Sequence, residues 1–204
     1  IATTIAKEDE KIVEIAKKHQ LPFYRGSVSN VLDRFYQSAK TINPIWIVRL
    51  TSDCPLIDAN LIDQIIGEAI LNDVDYCSNT LNPTFPDGLD VEVFKFSALE
   101  KAWNEASLES EKEHVTPYIH KNSSFHKKTL FQAHSFENDK SYEKVRLTVD
   151  ELSDFKVIKL MIENLGTAGD WKTYADYYLL NEDIRNVNID ISRNEGYIKS
   201  LEND

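Results

Sequence analysis

Ile45-Trp-Ile-Val-Arg-Leu-Thr-Ser-Asp53 decides the reading of this chain, because it nearly recurs later as Val145-Arg-Leu-Thr-Val-Asp150. The shared core is Arg49-Leu-Thr-Ser-Asp53 against Arg146-Leu-Thr-Val-Asp150. Each is an apolar, β-prone run closed by a carboxylate where a strand should stop. In an open α/β sheet, ligands gather beyond the carboxyl ends of the strands. Two aspartates delivered there can share one divalent cation, whose shell is finished by water and substrate phosphates. A single Asp after a strand is also what helix capping and turn chemistry supply. The pattern alone leaves both readings open.

Outward from Ile45–Leu50, the first part of the chain alternates strand and helix. Ile1–Thr4 is a β-prone stub. Lys7–His19 reads as a helix, Leu21–Arg25 as a short strand, and Ser29 can cap a helix that runs to about Lys40. The near-continuous apolar run at Ile45–Leu50 predicts a central parallel strand buried on both faces. Asn60–Leu71 is amphipathic, and Asp75–Ser78 is a further strand. The order β-α-β-α-β-α-β implies parallel pairing with right-handed crossovers.

The rhythm changes after Asn82-Pro-Thr-Phe-Pro-Asp-Gly88. Asp90–Phe96 alternates as a strand, Ser97–Ala106 and Ser110–Lys121 look helical, and Lys128–Ala133 and Glu143–Val149 read as strands. Phe155–Leu165 and Lys172–Asn181 are helices, and Asn186–Asp204 is a polar tail. The expectation is one domain over residues 1–204, with a nucleotide-binding half at 1–80 and a substrate-binding, metal-completing half at 81–204.

Composition narrows the partners. The chain has 204 residues and a net charge of -11, which argues against a general nucleic-acid binder, since those carry a basic footprint. Cys54 and Cys77 are the only cysteines and lack metal-ligand spacing, so free thiols in a reducing compartment are expected. No apolar run approaches membrane-spanning length and no secretory leader opens the sequence. A cytoplasmic protein with no membrane partner is the expectation.

Four constellations carry candidate chemistry. In the first, Pro55 forces an extended exit after Asp53, and Asp58 is placed to cap the Asn60 helix. Arg49, on a buried strand, needs a carboxylate partner or a phosphate. In Pro86-Asp-Gly-Leu-Asp-Val-Glu-Val93, Asp90 and Glu92 fall on one strand face; they suit sugar hydroxyls or a solvated face. In Glu111-Lys-Glu-His-Val-Thr-Pro-Tyr118, Glu111, His114 and Tyr118 share a helical face, and His114 is either a proton shuttle or a structural side chain. Arg25-Gly-Ser27 before a helix start presents N–H groups that suit an anion. No Walker or dinucleotide glycine fingerprint occurs.

Together with Val31-Leu-Asp-Arg34, Glu113-His-Val-Thr-Pro-Tyr118 and Asn194-Glu-Gly-Tyr-Ile-Lys-Ser-Leu201, these motifs, in this order, resemble the cytidylyltransferases of the spore coat polysaccharide biosynthesis protein F kind. These are relatives of the acylneuraminate and 3-deoxy-manno-octulosonate cytidylyltransferases. The resemblance covers essentially the whole chain. It implies an α/β, glycosyltransferase-A-like (Rossmann-like) nucleotidyltransferase, with a mixed, mostly parallel sheet flanked by helices. It implies CTP, a small sugar such as a sugar acid, and Mg²⁺ as partners, with CMP transferred to a sugar hydroxyl and pyrophosphate released in surface polysaccharide biosynthesis.

By motif, Asp53 and Asp150 would hold the metal. Arg25, Gly26, Ser27, Arg34 and Arg49 would face the nucleotide. Asp90, Glu92, Glu113 and His114 would face the sugar, His114 also serving as proton acceptor. Relatives open with a strand and a Gly/Ser/Arg/Lys-rich phosphate loop; this sequence starts at what matches their second strand, so an N-terminally truncated domain is expected. Lys112 stands where many relatives carry Arg, and the two are not equivalent at a bidentate site. Homodimers are common among these relatives. A metal-dependent glycosyltransferase of the same fold, or a non-catalytic nucleotide- or sugar-binding module, are the competing readings.

Overall fold

A computed structural model describes residues 1–202 and 204. The chain divides into two compact units that interleave in sequence. The first comprises Ile1–Ile47, Phe94–Gln132 and Asn194–Asp204; the second comprises Val48–Val93 and Ala133–Arg193.

In the first unit, β1 (Ala2–Thr4) leads through a 3-10 turn (Lys7–Asp9) into α1 (Glu10–Lys18), then β2 (Tyr24–Gly26) and α2 (Val31–Lys40). β1 and β2 pair in parallel, Ala2 opposite Tyr24 and Thr4 opposite Gly26, as the β-α-β order requires. Asn30, not Ser29, caps α2: its side chain accepts from Asp33 N at 2.9 Å, while the Ser29 hydroxyl turns to Ser27.

β3 (Trp46–Arg49) leaves this unit, and the second unit opens with α3 (Ala59–Leu71) and β4 (Tyr76–Ser78). Asp58 caps α3 as expected, accepting from Asn60 N at 2.8 Å and Leu61 N at 3.3 Å. β5 (Glu92–Lys95) carries the chain back to the first unit. There α4 (Phe96–Glu105), α5 (Glu109–His114) and α6 (Pro117–Lys121) follow. The single helix expected over Ser110–Lys121 is broken, because Val115 adopts φ 73° and Pro117 starts the next helix. Glu111, His114 and Tyr118 therefore do not share one helical face. Within this unit Tyr36 stacks on Trp103 at 4.1 Å, and Leu32, Leu99 and Ala102 of the same two helices are buried.

The chain returns to the second unit through β6 (Ala133–Ser135), then α7 (Leu152–Leu165), α8 (Trp171–Leu180) and α9 (Glu182–Arg185). Leu56, Val145, Leu147, Val157, Met161, Tyr174 and Tyr178 form its core. β3 to β6 make one sheet in the order β3-β5-β4-β6, with β4 and β6 parallel. β3 thus stands at an end of that order, not at its centre. Among the described residues only β5 pairs with it, so its apolar run does not give the expected two-sided burial, and Val48 is partly exposed.

Lys128–Ala133 is not a strand; Phe131 makes one isolated bridge to Ser123, and pairing moves on to Ala133–Ser135. The last element, α10 (Glu195–Leu201), belongs to the first unit and packs on α5. No described helix is long and apolar enough to cross a membrane.

Candidate active site

The two halves of the repeated motif meet in the second unit. The strand expected over Glu143–Val149 does not form; Val145–Asp150 is an extended segment whose amides alternate between partners. Leu147 N donates to Asp87 O at 2.7 Å, and Asp87 N donates to Val145 O at 2.9 Å. Val149 N then donates to Asp53 O at 2.9 Å, and Thr148 Oγ1 reaches the same carbonyl at 3.3 Å. A ladder split between two short partners makes one isolated bridge, Asp87 to Arg146, rather than a strand. The split nonetheless brings Asp53 within one residue of a backbone bond to the Val149–Asp150 step.

Gly88 is what permits this approach. Its φ is +99°, and a Cβ there would lie 2.4 Å from Leu147 C and Thr148 N. Only glycine tolerates both the conformation and the contact. Asn79 holds the other side of the turn, donating to Leu89 O at 2.8 Å and accepting from Val91 N at 2.9 Å.

Two arginines that the sequence reading did not single out organise the acidic side chains here. Buried Arg146 donates to Asp87 at 2.7 Å, to Asp150 at 2.7 Å, and to both oxygens of Asp154 at 2.9 Å. Burial pulls its pKa down, but this carboxylate ring raises it above the usual arginine value. Fully buried Asp154 is pushed up by desolvation, yet Arg146, Asn188 and the Glu151 amide bring it below the ordinary carboxylate range. Arg193 donates to Asp90 at 2.6 Å and to Phe85 O at 3.1 Å. Asp90 is nevertheless pushed up to about 6, chiefly by burial, with Asp87 and Glu92 adding repulsion and Arg193 offsetting part. Asp87 is raised for the same first reason. A cavity of about 190 Å³ opens beside Asp87, Arg146, Arg193, Tyr178 and Asn188.

The expected residues divide sharply. Asp53 is half-buried and Asp150 exposed. Cys54 Sγ, a thiol held protonated with its pKa pushed up to about 12 by burial, lies 3.4 Å from Asp53 Oδ1. Among the described residues no group of three or more His, Cys, Asp or Glu is assembled for a metal. Asp53 and Asp150 each carry oxygen donors of the kind a Mg²⁺ takes while completing its shell with waters and phosphates, so by donor chemistry alone they would suit that ion, with one oxygen of Asp150 held by Arg146. Asp90 and Glu92 do not share the expected single strand face, because β5 begins only at Glu92 and each goes to its own partners. Glu92 takes Tyr76 OH at 2.6 Å and pairs with Arg49. Arg49 therefore has the carboxylate partner that the sequence left as one of its two options.

In the first unit, Arg25 staples the end of β1 to the start of α1, through Thr4 O at 2.8 Å, Ala6 O at 3.1 Å and Glu10 at 2.6 Å. Ser27 accepts from Asn30 N at 3.2 Å, and Gly26 lies under the stem of Arg34. The Ser200 hydroxyl lies 2.9 Å from Tyr197 O and 2.7 Å from His114 Nε2, and so ties α10 to α5. The His114 ring also stands edge-on to Tyr197, and exposed Glu113 lies 3.8 Å from it.

Parallel β-α-β pairing and a mixed sheet flanked by helices place the chain in the α/β, Rossmann-like class. The cytidylyltransferase family model matches residues 1–184. The chain is 39% identical over 192 residues to an uncharacterized protein of Methanocaldococcus jannaschii, covering 94% of this chain and 76% of that one. It is 30% identical over 182 residues to the spore coat polysaccharide biosynthesis protein SpsF of Bacillus subtilis, covering 89% and 73%. The solved structure of a cytidylyltransferase from Leptospira borgpetersenii superposes with a TM-score of 0.80 at 32% identity, over 89% of this chain and 75% of that one. The chain belongs to the cytidylyltransferase family and is a nucleotidyltransferase.

Proposed function

We propose that this nucleotidyltransferase transfers CMP from CTP to a hydroxyl of a small sugar, releasing pyrophosphate, in the assembly of a surface polysaccharide. The observation that carries this reading is the tie between the two motif halves: Asp53 O bonded by Val149 N, one residue before Asp150. In the proposal Asp53 and Asp150 hold Mg²⁺. When bound, the ion neutralises phosphate charge and orients the triphosphate.

The chain's own residues do the rest. Arg146 fixes Asp150 from behind at 2.7 Å, so that carboxylate is positioned before substrate arrives. Asp90 accepts from the attacking sugar hydroxyl; with a pKa near 6 it is matched to take that proton at neutral pH. The new bond joins the sugar oxygen to the α-phosphorus as the bond from that phosphorus to the bridging oxygen breaks, and pyrophosphate leaves with that oxygen. Arg25, Gly26, Ser27 and Arg34 are assigned to the nucleotide. Glu92 and Arg49 support the site by pairing with each other, and Glu113 and His114 stay as sugar-side candidates.

The test is pyrophosphate release from CTP and Mg²⁺ over a panel of neutral, amino and acidic sugars. Asp53→Asn and Asp150→Asn should each abolish it. Wild-type turnover in either variant removes the metal assignment. Sugar transfer from a nucleotide sugar, with no pyrophosphate formed, would replace the reading by glycosyl transfer.

A further inference from the structure

Of the arginines that the resemblance turns toward the nucleotide, Arg25 and Arg49 each have a carboxylate partner, Glu10 and Glu92. Among the described residues Arg34 has none. It is 9% exposed, its buried Nε has no hydrogen-bond partner, and among the described residues no carboxylate lies within ion-pair distance. Asp9 is the carboxylate that acts on it through space. Its Oδ2 is turned to Thr3 Oγ1 at 2.7 Å, Thr4 N at 2.8 Å and Thr4 Oγ1 at 2.6 Å. Burial accordingly lowers the Arg34 pKa, and Asp9 restores only part.

A buried cation without a hydrogen-bonded anion is a net cost to folding, and such costs persist where function needs them. The surroundings hold the side chain in this position. A Cβ at residue 26 would fall 2.8 Å from Arg34 Cγ and 2.9 Å from the Tyr24 ring. Glycine at the end of β2 is therefore what lets the stem cross. Arg34 sits one turn into α2, a ten-residue helix whose N-terminal end favours negative charge.

We propose that Arg34, seated over Gly26, is the phosphate-binding cation of the first unit. Its planar fork matches phosphoryl oxygens as a pair of donors. The proposal rests on the nucleotide reading and narrows it: the contact is to phosphate rather than to base or sugar. CTP and released pyrophosphate both present that chemistry.

The test uses thermal melts and calorimetry on the whole chain in saturating Mg²⁺, with CTP, CMP, pyrophosphate and cytidine as probes. The variants are Arg34→Met, Arg34→Lys and Gly26→Ala. Arg34→Met should melt at or above the wild-type temperature when ligand-free, since a strained charge is removed, yet bind pyrophosphate and CTP at least tenfold more weakly. Arg34→Lys should recover part of the binding, and Gly26→Ala should lose it by displacing the stem. Loss confined to CTP and pyrophosphate assigns the β- and γ-phosphates; loss extending to CMP assigns the α-phosphate. If Arg34→Met melts lower than wild type and binds every probe normally, Arg34 is structural and the proposal falls while the nucleotide reading stands. If the wild-type chain binds neither CTP nor pyrophosphate, both fall together.

Discussion

Replacing Arg146 by Met tests the electrostatic logic of the second unit most directly. The substitution keeps the volume of the stem and removes the guanidinium that pairs with Asp150 and Asp154 and shares Asp87 with Arg193. These three contacts do not weigh equally. The Asp150 side chain is 51% exposed, so its pairing contributes at most about 1 kcal/mol. Asp154 is fully buried and loses a two-point partner, which costs roughly 3–5 kcal/mol when one member of a buried pair is deleted. At about 2–4 °C per kcal/mol for a chain of this size, the melting temperature should fall by roughly 6–20 °C.

The pH dependence gives the sharper check. In the wild type the Asp154 pKa lies below its unfolded value, so its contribution is present above the unfolded pKa and is lost as pH falls through the folded one. Without Arg146, burial dominates and the pKa of Asp154 moves above the unfolded value. The variant then gains stability as pH falls, because its folded state binds the proton first. Urea titrations of both proteins at pH 8 and pH 5 should show the deficit shrinking at pH 5. A deficit below about 1 kcal/mol at pH 8, or one that grows on acidification, would refute the claim that Arg146 neutralises a buried carboxylate.

Gly88→Ala should leave little soluble protein, or destabilise it by more than about 3 kcal/mol, through backbone strain and overpacking together; expression yield and urea midpoints measure this, and a near-wild-type midpoint would mean the turn can move. Asp90 is raised to about 6 in the folded protein, so the wild type should gain stability as pH falls from 7 to 5; Asp90→Asn should flatten that segment of the curve, read as the difference between the two proteins' urea midpoints. His114→Ala and Ser200→Ala should each speed amide exchange in α10, and the double variant should be no worse than the worse single one, as expected for two ends of one hydrogen bond.

Local pattern carried the α3 helix, its Asp58 cap and the parallel pairing of β1 with β2, because capping, periodicity and β-α-β order act over a few residues. The repeated Arg-Leu-Thr motif likewise pointed to two segments that meet. What it did not carry was their shape. Val145–Asp150 has the composition of a strand, but its amides are shared between Asp87 and Asp53, and no property of the segment itself reveals that division. Alternation placed Asp90 and Glu92 together, whereas Arg193 draws one away and Arg49 with Tyr76 hold the other. Those partners lie up to about a hundred residues off, and an ion pair at such separation leaves no local signature. The break at Val115 was half visible, since Pro117 announced a new helix start while a valine at positive φ gave no warning.

Both thiols of the chain, Cys54 and Cys77, belong to the second unit and are buried there, and burial raises each to about 12. A thiol-reactive dye thus finds nothing to label on the native surface. Its rate of reaction becomes a clock for the opening of one compact unit only, in a protein whose other unit stays chemically silent to the same reagent.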